Sequence, residues 1–157
     1  MPIRVTCAEL VEVSAFHKNP KTSMDLLDVH NYKHSDLTEK IIKAFYKVYN
    51  KLGYGFLEKV YENAMVLELT AKDLFVEKQK QVDVFYYENR VGYYFADLVI
   101  ENLVIVELKA AESICEEHEL QLINYLKATE IEVGLLLNFG KTPQFKRKVF
   151  SNKYRTK

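Results

Sequence analysis

The 157-residue chain lacks the features that identify zinc-thiolate, membrane-spanning and secreted proteins. Its only two cysteines, Cys7 and Cys115, are far apart and match no zinc-binding spacing. No apolar run approaches the ~20 residues needed to cross a bilayer, and the N-terminus lacks the charged-then-apolar order of a signal peptide. Because scarce cysteine is typical of a reducing compartment, we expect a cytoplasmic protein with no membrane partner.

An excess of charge of one sign is also missing, although the charges are unevenly distributed. The chain holds 22 basic and 22 acidic residues, but residues 141–157 contain seven Lys or Arg and no acid. Such a basic tail can contact phosphates, while the simpler interpretation is a solvated terminus. No glycine-rich phosphate loop, internal repeat or low-complexity segment is present.

What is present is the composition of one globular domain, with 48% hydrophobic and 28% charged residues. Residues 1–33 show no sustained hydrophobic period, so we treat them as an N-terminal extension outside a core domain at 34–157. Asp36 and Glu39 have the spacing of a capping box at a helix start. Hydrophobic periods then predict helices at about 36–53, 58–72 and 118–128 and strands at 75–80, 82–87, 91–100, 103–110, 133–139 and 145–150.

The order of these elements predicts an α/β protein. The strands between 75 and 110 have turn signals between them and form an antiparallel meander, in which the first two runs can be one bent strand. The strand–helix–strand step over residues 103–139 favours a parallel crossover. Helices packed on a mixed sheet account for both features.

Three charged residues occupy two aliphatic runs that have the composition of buried strands. Asp97 begins the first run, and Glu107 and Lys109 end the second. Burying a charge costs free energy unless the charge is paired or binds an ion. We therefore expect these three side chains to belong to a site.

The turn between the two runs decides whether the charges meet. Side chains alternate along a strand, so Glu107 and Lys109 share one face. A hairpin centred on Asn102 places Asp97 opposite Glu107, with Cβ atoms ~4.5–5.5 Å apart. A two-residue loop would instead pair Asp97 with Val106 and turn Glu107 to the other face. The site hypothesis therefore requires a three-residue loop or a bulge.

Two facing carboxylates repel each other unless a cation or a shared proton lies between them. Oxygen ligands suit a hard ion such as Mg²⁺ or Mn²⁺, and Lys109 on the same face would hold a phosphate or orient a water molecule. The same residues also allow a purely structural salt-bridge cluster at a sheet edge.

Two helices carry further candidates. Glu58 and Tyr61 share a helix face directly after a glycine loop, and Glu58 could be a third acidic ligand or an ordinary first-turn glutamate. Gln121 and Tyr125 share a face of the later helix, and His118 precedes them by one turn. These side chains could bind a substrate by hydrogen bonds or stacking, or they could be ordinary surface residues.

Four separated motifs occur in order along the chain: LGYGFLEKVYENAM, ADLVIENLVIVELKA, HELQLINYLKAT and VGLLLNFG. The first contains G-x-x-E-x-x-Y, and over about residues 34–150 the chain resembles the GxxExxY proteins of the PD-(D/E)XK nuclease-like superfamily. It departs from that pattern at Ala96, where the superfamily name has proline, and at Tyr49, where the family has a histidine.

The resemblance implies a restriction-endonuclease-like αβββαβ core, with a mixed β-sheet flanked by helices. It makes Glu58 the first-helix acid, Asp97 the second-motif aspartate, and Glu107 with Lys109 the E-x-K pair. The helix residues Gln121 and Tyr125 resemble the Q-x-x-x-Y motif of exonuclease-type branches.

The first functional hypothesis is a nuclease that hydrolyses phosphodiester bonds of DNA or RNA with Mg²⁺ or Mn²⁺. The expected metal ligands are Glu58, Asp97, Glu107 and the Leu108 carbonyl, and the expected catalytic residues are Asp97, Glu107, Lys109 and Glu58. The expected substrate contacts are Gln121, Tyr125, Tyr61 and His118.

A second hypothesis is an inactive nuclease-fold module that binds nucleic acid or protein. The acidic residues 1–140 agree with it, because duplex binders usually present a broad basic face. The third hypothesis is the structural ion cluster.

Overall fold

The computed structural model describes residues 33–154, in which three α-helices pack on a five-stranded sheet. The helices are α1 Ser35–Leu52, α2 Glu58–Thr70 and α3 Glu116–Ala128. The strands are β1 Val76–Tyr86, β2 Asn89–Ile100, β3 Val104–Lys109, β4 Val133–Asn138 and β5 Gln144–Val149, and a 3₁₀ turn follows at Asn152–Tyr154. Apart from Lys33, the predicted extension 1–33 lies outside the described residues.

The sheet has the order β1-β2-β3-β4-β5 and mixes both kinds of pairing. Strands β1, β2 and β3 form an antiparallel meander, β4 runs parallel to β3 after the α3 crossover, and β5 pairs antiparallel at the edge. This arrangement confirms the predicted α/β class with a mixed sheet flanked by helices. Three of the seven basic residues of the tail, Lys146, Arg147 and Lys148, lie in β5, an edge strand. No described helix is long and apolar enough to cross a membrane.

The two faces of the sheet bury separate apolar clusters. Val106 and Leu108 of β3 pack with α1 and α2 on one face, and Ile105 packs with α3 on the other. Since alternate residues share a face, Glu107 and Lys109 are on the α3 side. The parity predicted from the sequence therefore directs both charges toward one helix.

Close packing of α3 on β4 depends on a glycine. A Cβ atom at Gly134 would lie 2.7 Å from the Leu122 Cδ1 atom, well inside contact distance. A larger residue would force the buried Leu122 side chain of α3 to shift.

One local prediction is wrong, and one alternative that the sequence left open is decided. The capping box of Asp36 and Glu39 is wrong, because helix α1 begins one residue earlier and its N-cap, His34, has a left-handed conformation with no side-chain cap. The separate predicted strands 75–80 and 82–87 are one strand, the alternative that the sequence left open. Gln79 interrupts its ladder with a left-handed φ of 48°.

Candidate active site

The β2–β3 hairpin has the three-residue turn that the site hypothesis requires. Residues 101–103 form the turn, with Asn102 at a left-handed φ of 55°. The last paired residues away from the turn are Leu98 and Val106, so one further step of the same register brings Asp97 level with Glu107. The predicted alignment of the two acids is therefore confirmed.

Asp97 lies where the ladder between β2 and β3 stops. Its Oδ2 atom accepts a hydrogen bond of 2.8 Å from the Leu108 backbone N–H. Its Oδ1 atom accepts one of 3.2 Å from the Gln79 side-chain amide. A carboxylate thus replaces the next backbone partner of β3, and both of its oxygens are held in a defined direction.

Gln79 contacts Asp97, and Glu62 in turn contacts Gln79. Neither residue was among the predicted site residues. The left-handed Gln79 has no partner in the ladder, and its amide also donates to the Glu62 Oε2 atom at 2.5 Å. Glu62 is 3% exposed and pairs with Lys59 at 2.6 Å. The sequence could have pointed to Glu62 only through its position one helical turn after Glu58. No local sequence pattern predicts that Gln79 adopts a left-handed conformation within a strand.

Glu107 is buried with an incomplete set of partners. Its side chain is 2% exposed, its Oε2 atom lies 3.8 Å from the Lys109 ammonium, and no described residue bonds its Oε1 atom. Burial first and then repulsion from Asp97 raise the pKa of Glu107 to about 9, against the opposing effect of Lys109. Without a cation, this carboxyl group is therefore protonated at neutral pH.

Helix α3 binds Lys109 through a chain of hydrogen bonds. The Lys109 ammonium donates to the Gln121 Oε1 atom at 2.9 Å, and the Gln121 amide donates to the Tyr125 hydroxyl at 2.8 Å. Tyr125 is 4% exposed, and burial raises its pKa. The structure thus brings Asp97, Glu107, Lys109, Gln121 and Tyr125 together.

This geometry agrees with the comparison to protein families. The model described as the PD-(D/E)XK nuclease superfamily matches residues 35–149, nearly all of the described fold. The chain belongs to the PD-(D/E)XK nuclease superfamily. Membership of this superfamily suggests a nuclease-type function. Its nucleases typically use divalent metals and act on nucleic acid.

A solved structure titled "Crystal structure of SSO0001" is similar to this chain at 14% identity, with a TM-score of 0.42. The match covers 80% of this chain and 61% of that chain, so this chain spans less than two thirds of its length. None of the curated proteins compared with this chain matches it.

Glu58, the acid that the PD-(D/E)XK resemblance assigned to the first helix, is not brought into the cluster. It is exposed in the first turn of α2. Within residues 33–154, no three His, Cys, Asp or Glu side chains are grouped to hold an ion, so Glu58 does not join Asp97 and Glu107 in such a group. The inward-facing acid of α2 is Glu62, one turn later. A ligand role for Glu58 stays a prediction.

Tyr61, predicted to bind substrate, has a structural position instead. Its side chain is fully buried, its ring stacks on Phe139 at 4.2 Å, and its hydroxyl donates to the Gly53 carbonyl at 2.8 Å. The same hydroxyl accepts from the Phe56 N–H at 3.2 Å. The tyrosine of G-x-x-E-x-x-Y therefore holds the glycine loop before α2, because its hydroxyl hydrogen-bonds the Gly53 carbonyl and the Phe56 N–H of that loop.

His118 caps helix α3 near the site. Its Nδ1 atom accepts a hydrogen bond of 3.3 Å from the backbone N–H of Cys115. Burial and then the charge of Lys109 lower the pKa of His118, while Glu117 and Glu58 oppose the shift. Substrate contact by His118 stays a prediction.

Proposed function

We propose that this protein is a nuclease of the GxxExxY type that hydrolyses phosphodiester bonds of nucleic acid with Mg²⁺ or Mn²⁺. The observation that carries the proposal is the pair formed by Asp97 and Glu107. A glutamate buried beside another acid, with one oxygen unpartnered, is costly for a structural residue. A cation between the two carboxylates would remove that cost.

The donor atoms suit a hard divalent ion. Asp97 and Glu107 offer carboxylate oxygens, which Mg²⁺ and Mn²⁺ prefer. The Leu108 N–H points to Asp97, and the N–H and C=O of one residue point to the same side of a strand. The Leu108 carbonyl therefore faces the same edge and completes a set of three donors. Glu58 would join only after a change of its side-chain conformation.

The side chains around the pair suit phosphodiester hydrolysis. A divalent ion there supplies Lewis-acid polarisation of the phosphodiester and lowers the pKa of an attacking water. Lys109, held by Gln121, is directed to the same face as Glu107 and stabilises negative charge on the phosphate or orients the water. Gln121, Tyr125 and His118 lie beside Lys109 and would contact the substrate strand.

A second candidate is a nuclease fold that binds nucleic acid or protein without cleaving it. Its support is Asp97, whose two oxygens already accept hydrogen bonds from Leu108 and Gln79. A carboxylate satisfied in this way can connect β1, β2 and β3 without any ion. Metal binding separates the two candidates, because only the nuclease needs a cation site.

The test is an incubation of the purified chain with single- and double-stranded DNA and RNA. Reactions contain Mg²⁺, Mn²⁺ or EDTA, and Glu107→Gln serves as the matched control because it keeps the size of the side chain and removes its charge. We expect cleavage with a divalent ion, none with EDTA and none with the variant. Cleavage of equal rate by Glu107→Gln would trace the activity to a contaminant, and no cleavage of any substrate would support the binding module.

A further inference from the structure

The β1–β2 hairpin extends beyond the rest of the sheet. Strands β1 and β2 pair along nearly their whole lengths, whereas β2 pairs with β3 only from Leu98 to Ile100. Asp97 and Gln79 mark the place where the hairpin leaves the sheet. Between them and the turn at residues 87–88, neither strand has a second neighbouring strand within residues 33–154.

The far part of this hairpin exposes an unusual number of aromatic rings. Six of the 11 residues from 85 to 95 are aromatic side chains with 47% to 85% of their surface exposed, namely Phe85, Tyr86, Tyr87, Tyr93, Tyr94 and Phe95. The Arg90 guanidinium lies 4.9 Å from the centre of the Tyr93 ring. The rings lie on both faces of the hairpin, because strand alternation places Tyr94 on the face toward α3, beside Tyr125, and places Tyr93 and Phe95 on the opposite face, where they contact each other. Exposed aromatic surface is typical of an interaction site.

The face of the hairpin toward α3 is continuous with the candidate active site through Tyr94. The Tyr94 ring lies 5.7 Å from the Tyr125 ring, and it keeps 55% of its own surface exposed. Tyr125 is hydrogen-bonded to Gln121, and Gln121 to Lys109. A ligand stacked on Tyr94 would therefore lie next to the side chains that hold Lys109.

We propose that the aromatic hairpin, residues 85–95, is a stacking surface for unpaired nucleotides, so that the preferred substrate is single-stranded or has a single-stranded end. This inference rests on the proposed nuclease function. Aromatic side chains stack on any exposed base face, and each such contact contributes about 1–3 kcal/mol. In a duplex those faces are already covered by neighbouring base pairs.

The charge of the hairpin also favours unpaired nucleotides over a duplex. Residues 76–100 contain three basic residues, Lys78, Lys80 and Arg90, and four acidic ones, Glu77, Asp83, Glu88 and Asp97. Duplex binding depends mainly on basic side chains at phosphates. Since this surface offers rings rather than an excess of cations, stacking on bases is the stronger contribution.

Binding in EDTA tests the surface without cleavage. Fluorescence anisotropy compares labelled oligo-dT with a blunt DNA duplex of the same length, at one salt concentration. Tyr94→Leu and Tyr93→Leu remove a ring but keep an apolar side chain, and Leu67→Ala changes a residue that is 73% exposed on α2. We expect tighter binding of oligo-dT than of duplex, and about 5- to 150-fold weaker oligo-dT binding in each tyrosine variant, with no change for Leu67→Ala.

Equal affinity for oligo-dT and duplex, or unchanged binding by both tyrosine variants, would overturn the inference. Unchanged binding together with a loss of self-association in gel filtration would identify the hairpin as a contact between copies of the chain. The proposed function fails separately, by absence of cleavage with Mg²⁺ and Mn²⁺, because binding in EDTA does not depend on catalysis.

Discussion

Two glutamates beside Asp97 are equally buried but differ in their partners. Glu62 is 3% exposed and Glu107 is 2% exposed. Glu62 accepts hydrogen bonds from Lys59 and Gln79 and has Lys78 at 3.6 Å. Glu107 has the Lys109 ammonium at 3.8 Å and hydrogen bonding with Asp97, and its Oε1 atom has no partner among the described residues.

The location of each residue explains this difference. Glu62 is on helix α2 at the side of the sheet, where long lysine side chains reach it from the surface, and Lys59 keeps 59% of its own side chain exposed. Glu107 lies in the central strand β3 and is 2% exposed, and the charged groups near it are those of Asp97 and Lys109. A buried acid with a full set of partners supports the fold, whereas a buried acid without one indicates a site that takes a ligand.

The largest expected effect is on catalysis. Removing the Lys109 ammonium should lower turnover by about 10²–10³-fold, the usual cost of one group that stabilises developing charge. Asp97→Ala should abolish cleavage, because it removes a metal ligand. Single-turnover rates at saturating Mg²⁺ check both variants. Lys109→Ala should still bind Mg²⁺, since lysine is not a ligand for a hard cation, and a lost Mg²⁺ response in its thermal melt would contradict the assigned role.

The second effect concerns pH and metal-free stability. Native Glu107 keeps its proton up to a pKa of about 9, whereas the unfolded chain releases it near the ordinary value of ~4.3. The folded state therefore binds more protons, and its stability falls as pH rises between these values, by at most about 1.4 kcal/mol per pH unit. Thermal melts in EDTA at pH 5 and pH 8 measure this loss.

Glu107→Gln is the control for that experiment, because glutamine does not titrate. Its melting temperature should change much less between pH 5 and pH 8, and Mg²⁺ should stabilise the wild-type protein at pH 8 but not the variant. A wild-type melt that ignores Mg²⁺ would favour the structural salt-bridge cluster, as would destabilised Asp97→Ala and Lys109→Ala proteins.

The third effect contrasts the two glutamates directly. Glu62→Gln should destabilise the fold by about 1–3 kcal/mol, because charge-assisted hydrogen bonds to Lys59 and Gln79 are weakened in a buried place. Glu107→Gln should leave metal-free stability at pH 8 unchanged or higher. Urea denaturation in EDTA measures both. Glu68→Gln is the reference, since its surface ion pair with Lys47 contributes only about 0–1 kcal/mol.

The smallest effect should come from Gln79, which touches Asp97 but not the proposed ion. Gln79→Ala should weaken Mg²⁺ affinity by about 10-fold, the lower end for a residue that orients a ligand. Calorimetric Mg²⁺ titration of a folded variant checks this, with Gln81→Ala as a control on the same strand. Equal affinities in both variants would show that Asp97 keeps its orientation without Gln79.

The fold and the centre of the site were predictable because they depend on local patterns. Period-2 alternation placed Glu107 and Lys109 on one face, and the required three-residue turn at Asn102 brought Asp97 opposite Glu107. The spacing of Gln121 and Tyr125 likewise predicted a shared helix face, which the hydrogen bond between them confirms.

Sequence reasoning was weakest for residues whose environment is distant in sequence. Tyr61 was assigned to substrate, but its burial depends on packing against Phe139, 78 positions later in the chain. Glu58 has the motif position of a ligand, yet the orientation of α2 on the sheet leaves it exposed and turns Glu62 inward. A helical period shows which residues share a face but not which turn of the helix lies over the strands.

The sequence by itself determined the α/β class and the shared face of Glu107 and Lys109, because strand alternation is a local property. The sequence left two turn lengths open, and the structure decided for the three-residue turn that brings Asp97 level with Glu107. Only the tertiary structure decided what each charge does. Hydrogen bonds from Lys59 and Gln79 offset the free-energy cost of burying Glu62. Glu107 lies in the central strand, and its Oε1 atom has no partner among the described residues. Whether a carboxylate is solvated, paired or left unpartnered depends on the elements packed around it, and that environment sets its pKa and its capacity to hold an ion.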